Sequence, residues 1–187
     1  MTPTTTAAAA PASAPRVAAE PTQYLTFMLG GEPFAIGILV IKEIIEYSAL
    51  TTVPMMPDCI RGVINLRGAV VPVMDLAARF ARAPTAITRR TCIVIVEVRA
   101  AEGEGSQVVG VMVDAVNEVL DIAAQDIEPP PSFGARVRSD FIHGMGKVRG
   151  SFVILLDVDR VLSLEELDLP GQAGGEPAAA RAEALAH

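Results

Sequence analysis

Tryptophan is absent from this 187-residue sequence, and aromatic residues make up only 4% of it. Basic residues are also few, since 15 lysines and arginines face 22 aspartates and glutamates and leave a formal net charge of -7. Nucleic-acid binding requires a basic face for the phosphates, and binding of single strands also uses aromatic side chains for base stacking. The composition therefore excludes nucleic acid as the main partner.

Residues that bind metals or undergo redox chemistry are scarce. The two cysteines, Cys59 and Cys92, have no C-x-x-C spacing, and the two histidines are His143 and the terminal His187. We therefore expect no metal site and no cofactor. Both cysteines lie in apolar, strand-like runs, which is typical of buried free thiols in a reducing compartment.

The sequence also lacks long apolar runs and catalytic groupings. Its richest apolar run, residues 92–98, has the length of a strand and falls well short of the roughly 18 residues that a membrane span requires. His143 is the only internal histidine, so a hydrolase nucleophile would have no obvious base, and no pair of carboxylates stands out. We expect a protein that is not an enzyme.

Both ends of the sequence have a composition typical of disorder. Residues 1–21 are mainly Ala, Thr and Pro, with Arg16 and Glu20 as the only charges, and residues 170–187 are rich in Ala and Gly. Such segments bury too little apolar surface to offset the entropy lost on folding. We therefore predict disordered tails, with the folded part at 22–169.

A hairpin at residues 59–75 is the most informative stretch between the tails. Two β-branched runs, at 63–66 and 70–74, are joined through Arg67 and Gly68, and glycine provides the positive φ that a tight turn needs. Arg67 then lies at the tip of a rigid ribbon, with five donors and a permanent charge. Pro72 predicts an edge strand or a bulge, because proline cannot donate to a sheet.

Residues 36–47 are ambiguous. Their apolar residues fit one helix about as well as a short helical turn followed by a strand. The enrichment in β-branched residues favours a strand at 41–47, in which Ile41, Glu43 and Ile45 would share a face. Glu43 would then lie beside Ile41.

Further strand-like runs, punctuated by turns, fill the remaining sequence. They lie at 23–29, 34–36, 91–98, 107–113, 115–121, 141–148 and 151–157. The last two runs are joined near Arg149 and Gly150, which repeats the design of the hairpin at 59–75. Short helices are predicted at 75–81 and 158–167. This spacing predicts a mostly β protein of two barrel-like lobes that share a core.

Several of these stretches resemble one family. YLTFMLGGEPFAIGILVIKEI, INLRGAVVPVMDL, VVGVMVDAVNEVL and FIHGMGKV occur in the order and spacing of the CheW family of bacterial chemotaxis coupling proteins. The resemblance runs from about Gln23 to Leu164. It implies two intertwined, five-stranded SH3-like β-barrels with short helices, in lobes at about 22–84 and 85–169 that exchange strands.

The resemblance also implies a function, that of a non-catalytic cytoplasmic scaffold recruited to membrane-bound receptor arrays. Such a scaffold links the cytoplasmic tips of transmembrane chemoreceptors to the regulatory domain of the histidine kinase CheA, and meets the membrane only through the receptors. A coupling protein of a chemosensory pathway outside motility is the alternative. The receptor-binding positions that the resemblance implies are Ile41, Glu43, Gly62, Asn65, Arg67 and Gly68.

Arg67 has two interpretations at this point. It contacts a receptor directly, or it forms a salt bridge across the hairpin, with Glu43 as one candidate partner. The resemblance also implies a kinase contact at the proline-rich loop, residues 127–133, with Glu128, Ser132 and Phe133. This sequence departs from the family pattern there, because Glu128 stands where the pattern has arginine and Ser132 where it has glutamate.

Overall fold

The computed structural model describes residues 20–99, 105–131 and 137–163. The strands of the first half are β1 (Thr22–Leu29), β2 (Glu32–Gly37), β3 (Ile41–Glu46), β4 (Ile60–Leu66) and β5 (Ala69–Asp75). Those of the second half are β6 (Cys92–Arg99), β7 (Ser106–Val113), β8 (Ala115–Ile122), β9 (Ile127–Glu128), β10 (Ile142–Val148) and β11 (Ser151–Leu156). Helices α1 (Leu76–Arg79) and α2 (Val158–Val161) follow β5 and β11.

Some predicted features lie outside these ranges, namely nearly all of both tails and the end of the second predicted helix. Within the described ranges, no helix has the length and apolar character needed to cross a membrane.

Each of the two sheets takes strands from both halves of the chain. One sheet has the order β8-β1-β2-β11-β10-β9, and the other has the order β3-β6-β7-β5-β4. The halves are joined by four pairings, of which β1 with β8 and β3 with β6 are antiparallel. The other two, β2 with β11 and β5 with β7, are short and parallel. Both sheets therefore combine strands from residues 22–84 with strands from residues 85–169, as two intertwined lobes require. The first sheet also has six strands instead of five, the extra one being the two-residue β9.

The two halves repeat the same arrangement. If β1, β2 and β3 are matched to β6, β7 and β8, and the hairpin β4–β5 is matched to β10–β11, the two strand orders become equivalent apart from β9. The match extends to the helices, since Asp75 caps α1 and Asp157 caps α2. The chain is thus an internal repeat in which each half completes the sheet of the other.

The hydrophobic core has three parts. The largest cluster draws residues from both sheets, including Phe27 of β1 and Val96 of β6, while two smaller clusters each fill the interior of one sheet. Within the largest cluster, four aromatic rings pack one against the next, with centroid separations of 5.8 to 6.2 Å. They belong to Phe27, Phe34, Phe80 and Phe141. Offset aromatic packing of this kind adds to the stabilisation from burial. The predicted shared core is confirmed.

Two local expectations are wrong. Ile41 pairs with Val96 and Glu43 pairs with Ile95, so a register shift at Lys42 places Ile41 and Glu43 on opposite faces. Pro72 lies in β5, which is an interior strand between β7 and β4. The pairing of β5 with β7 begins only at Val73, so the missing N–H of Pro72 removes no bond from that ladder.

The carboxylate of Asp75 organises the start of α1 and the loop beyond it. It is fully buried and accepts hydrogen bonds from the backbone N–H groups of Ala77 at 3.0 Å and Thr85 at 2.9 Å. The Thr85 hydroxyl donates to it at 2.9 Å, and Arg61 lies 3.4 Å away. A buried charge with this many donors is satisfied and fixes the surrounding backbone.

We predict that Asp75→Ala lowers the free energy of unfolding by about 3 kcal/mol, because several buried donors lose their acceptor at once. Asp157→Ala is the matched control. That residue caps α2 in the equivalent position, but its side chain is 34% exposed, and we expect a loss of only about 1 kcal/mol. Urea unfolding of both variants measures the difference, and equal losses would contradict this account of Asp75.

Candidate functional site

The turn between β4 and β5 has two residues, Arg67 and Gly68, with φ values of 52° and 86°. Leu66 pairs with Ala69 directly behind it, so this is a type I′ turn, whose handedness matches the twist of the strands. The Asn65 side-chain oxygen accepts a hydrogen bond from the Gly68 N–H at 2.9 Å. Asn65 and Gly68 are thereby seen to shape the turn that presents Arg67.

Arginine is a costly residue at the first turn position. A left-handed backbone costs a non-glycine residue about 1 to 2 kcal/mol, and asparagine or glycine is usual at this position. Strain of this kind concentrates at functional sites. The conformational preference of the backbone therefore does not explain why arginine occupies this position. The explanation must lie in what its side chain does.

The side chain of Arg67 reaches the strand at the other edge of the same sheet. Its Nη2 lies 3.1 Å from Glu43 Oε2, with Arg67 80% exposed and Glu43 25% exposed. Because β3 and β4 are the two edge strands, this ion pair bridges the seam between them. An exposed pair contributes only about 0 to 1 kcal/mol to stability, so a binding partner can replace it at little cost.

The neighbouring lysine is engaged elsewhere. Lys42 forms an ion pair and hydrogen bond with Glu97 on β6. That hydrogen bond, followed by one from Ser106, holds the pKa of Glu97 below its usual range. Glu43 is therefore paired to Arg67 without competition from the adjacent cation.

Position 62 requires glycine for a steric reason. A Cβ at this position would lie 2.5 Å from the carbonyl oxygen of Thr51 and 3.1 Å from Leu50 Cβ, and its φ is +154°. Thr51 and Val63 form a two-bond bridge there, with N···O distances of 3.0 and 2.9 Å. The glycine allows the segment at 50–51 to lie against β4.

Two exposed apolar residues of this region were missed by sequence reasoning. Ile44 follows Glu43 and is 43% exposed, and Val70, two residues after the turn, is 71% exposed. Ile41, which the sequence favoured, is half-buried and packs against the shared core cluster. We call Glu43, Ile44, Arg67 and Val70 the first hairpin surface. The register shift at Lys42 separates Ile41 from Glu43, and no local pattern reveals that shift.

The predicted kinase-contact residues are only partly described. Glu128 is exposed and lies in β9, where it pairs with Met145 of β10. Ser132 and Phe133 lie outside the described residues. In the described ranges, no three His, Cys, Asp or Glu side chains are grouped closely enough to hold a metal ion.

Comparison with known families matches the CheW-like domain to residues 23–166. The chain belongs to the CheW-like domain family. This family member is similar to the chemotaxis protein CheW of Klebsiella aerogenes, with 35% identity over 147 residues that cover 79% of this chain and 85% of that relative. It is 33% identical to the chemotaxis protein CheW of Rhizobium meliloti over 144 residues, covering 77% of this chain and 89% of the relative.

A solved structure confirms the mostly β fold of this CheW-like domain. The scaffolding protein TtCheW from Thermoanaerobacter tengcongensis superposes with a TM-score of 0.68 at 31% identity, covering 75% of this chain and 92% of that one. The first hairpin surface therefore lies on a fold that is also found in this scaffolding protein.

We predict that Gly62→Ala destabilises the hairpin, with a loss of about 1 to 3 kcal/mol, because the added methyl group forces Thr51 away from β4. Hydrogen exchange at the Val63 amide should accelerate. Gly37→Ala is the control, since a Cβ there meets nothing within 4 Å, and its effect should stay within about 0.5 kcal/mol. Unchanged exchange at Val63 in Gly62→Ala would contradict the steric explanation.

Proposed function

We propose that this chain is a non-catalytic scaffold that couples the cytoplasmic tips of transmembrane chemoreceptors to the histidine kinase CheA in bacterial chemotaxis. Membership of the CheW-like domain family supports this role. The observation that carries the proposal is the first hairpin surface, where an exposed arginine on a strained turn is paired with Glu43 beside exposed apolar side chains. In this role the chain works in the cytoplasm and joins receptor arrays through its partners.

The proposed receptor element is an amphipathic helix with an apolar stripe and a charged rim. Ile44 and Val70 provide apolar contact area, and the arginine provides up to five hydrogen-bond donors for an acidic side chain of the helix. Asn65 is exposed and lies opposite Val70 across the hairpin, which adds a polar contact at the edge. Ile41 contributes less area, because it is half-buried.

Arg67 contacts the receptor directly in this proposal. Its side chain is 80% exposed, whereas that of Glu43 is 25% exposed, so the arginine is the more accessible of the two. Glu43 acts as a positioning residue that holds the guanidinium at the seam until the helix displaces it. The interface is small, and we expect modest affinity for each contact, which the many contacts of an array make effective.

We predict that Arg67→Glu raises the Kd for a soluble receptor-tip fragment by about tenfold or more, or about 1.4 kcal/mol, because the charge at the contact is reversed. Arg89→Glu makes the same charge change at another exposed arginine and should leave the Kd unchanged. Titration calorimetry with the full-length chain measures both. Equal affinity of the wild type and Arg67→Glu would overturn the site.

Glu43→Gln tests whether Arg67 contacts the receptor directly. This change removes the intramolecular ion pair while leaving the arginine, so direct contact predicts unchanged or tighter binding. If Arg67 served only to orient Glu43, the glutamine variant would lose as much affinity as Arg67→Glu. Circular dichroism of each variant checks that the fold is retained.

We further propose that the kinase contacts the segment that begins at Glu128. Pairing with Met145 fixes Glu128 at the edge of the first sheet, where its side chain is exposed. The proposal extends to Ser132 and Phe133 from the family resemblance alone. Because Glu128 stands where the family pattern has arginine, the matching kinase surface should carry a basic residue.

We predict that Glu128→Arg weakens binding to the regulatory domain of the cognate kinase by about fivefold to tenfold, through repulsion from that basic residue. Asp126→Arg, an exposed carboxylate two residues earlier, is the matched control and should have a smaller effect. Surface plasmon resonance at low and physiological salt measures both. Tighter binding by Glu128→Arg would show that the kinase surface is acidic, and would contradict the proposal that it carries a basic residue opposite Glu128.

A further inference from the structure

The type I′ turn of the first hairpin surface recurs in the second half of the repeat. Arg149 and Gly150 join β10 to β11 with φ values of 49° and 79°, close to the 52° and 86° of Arg67 and Gly68. Val148 pairs with Ser151 behind the turn, so it has the same two-residue length. An arginine therefore occupies a strained, left-handed position at both hairpin tips, although glycine or asparagine would be less costly there.

The ion pair recurs as well. Arg149 Nη1 lies 3.7 Å from Glu118 Oε1, with exposed fractions of 77% and 52%. Glu118 lies on β8, the edge strand that corresponds to β3, and it sits at a register shift against β1 just as Glu43 sits at one against β6. The hydroxyl of Thr26, a buried residue, donates to the Glu118 carbonyl at 2.8 Å and accepts from its N–H at 3.2 Å. The backbone of Glu118 is thereby fixed.

The exposed apolar residues recur at equivalent positions. Val119 follows Glu118 as Ile44 follows Glu43, and Phe152 lies two residues after the second turn as Val70 lies two residues after the first. Their exposed fractions are 45% for Val119 and 47% for Phe152. Among the described residues, seven large apolar side chains are markedly exposed, and four of them fall in these two equivalent pairs. This matched exposure sets the four side chains apart from singly exposed apolar residues, which are normal on protein surfaces.

We infer that Glu118, Val119, Arg149 and Phe152 form a second hairpin surface that binds a second receptor helix of the same amphipathic chemistry. This inference rests on the proposed receptor binding at the first hairpin surface. The same turn, ion pair and apolar pair offer the same complement to a helix with an apolar stripe and an acidic rim residue. One chain then bridges two receptor tips.

The two hairpin surfaces lie on different sheets. The first hairpin surface lies on the sheet that contains β3, and the second lies on the sheet that contains β8, so they share no residue. The second ion pair is longer and its glutamate is more exposed, which makes Arg149 easier to release to a partner. Phe152 also presents a ring where the first surface has valine, and aromatic residues are favoured at interface centres.

The test is the number of receptor tips bound by one chain. Full-length protein is titrated with a soluble coiled-coil fragment that contains the receptor tip, and sedimentation velocity and calorimetry give the stoichiometry. We expect two tips on the wild type, one on Arg149→Glu, one on Arg67→Glu and none on the double variant. Phe152→Ser, which leaves the turn intact, should weaken the second site without affecting the first, and Arg89→Glu should bind two tips.

The outcomes separate this inference from the proposed function. A single tip on the wild type that is lost with Arg67→Glu, but kept with Arg149→Glu, would overturn the second surface and leave the proposed receptor binding intact. Loss of kinase binding in Arg149→Glu, with receptor stoichiometry unchanged, would also overturn it by making this surface a kinase contact. Unchanged binding of tips by Arg67→Glu would instead contradict the first site.

Discussion

The exchange of strands between the two halves of the chain is the constraint on which the site depends. Each half divides its strands between the two sheets, so neither half completes a sheet by itself, and a segment of this size would be only marginally stable alone. The β6–β7 hairpin of the second half therefore holds β3 on one side and β5 on the other. Glu43 and Arg67 are 24 residues apart in sequence and meet only because this hairpin positions both of their strands.

Two ion pairs at the seams follow from the same topology. Each connects the tip of a two-residue turn to a glutamate beside a register shift in the strand at an opposite edge of the sheet. Exposed ion pairs contribute little to stability. The two sheets are therefore stabilised mainly by the apolar clusters in their interiors, and only slightly by the ion pairs. These ion pairs can thus be exchanged for other interactions, and we propose that the repetition of arginine at two strained turns serves binding and not folding.

The sequence predicted what depends on local chemistry. Gly68 lies in a turn that requires φ > 0, the Arg149–Gly150 turn recurs as expected, and α1 lies within the predicted helical segment 75–81. Features that depend on pairing with strands far away in the sequence were not predictable. The shift at Lys42 depends on which residues of β6 face β3, and the position of Pro72 depends on where the pairing with β7 begins.

The conformation of Arg67 reconciles its two interpretations. A rigid turn limits the backbone entropy that is lost on binding, and the pair with Glu43 keeps the guanidinium near one orientation before a partner arrives. If an equally exposed carboxylate of the proposed receptor helix replaces Glu43, exchanging one ion pair for the other changes the free energy little. In the proposed receptor contact, the net gain then comes from apolar contact at Ile44 and Val70, and the arginine selects the partner by its charge. We expect the proposed contact to be weak and reversible, and to become effective through the number of such contacts that one chain makes.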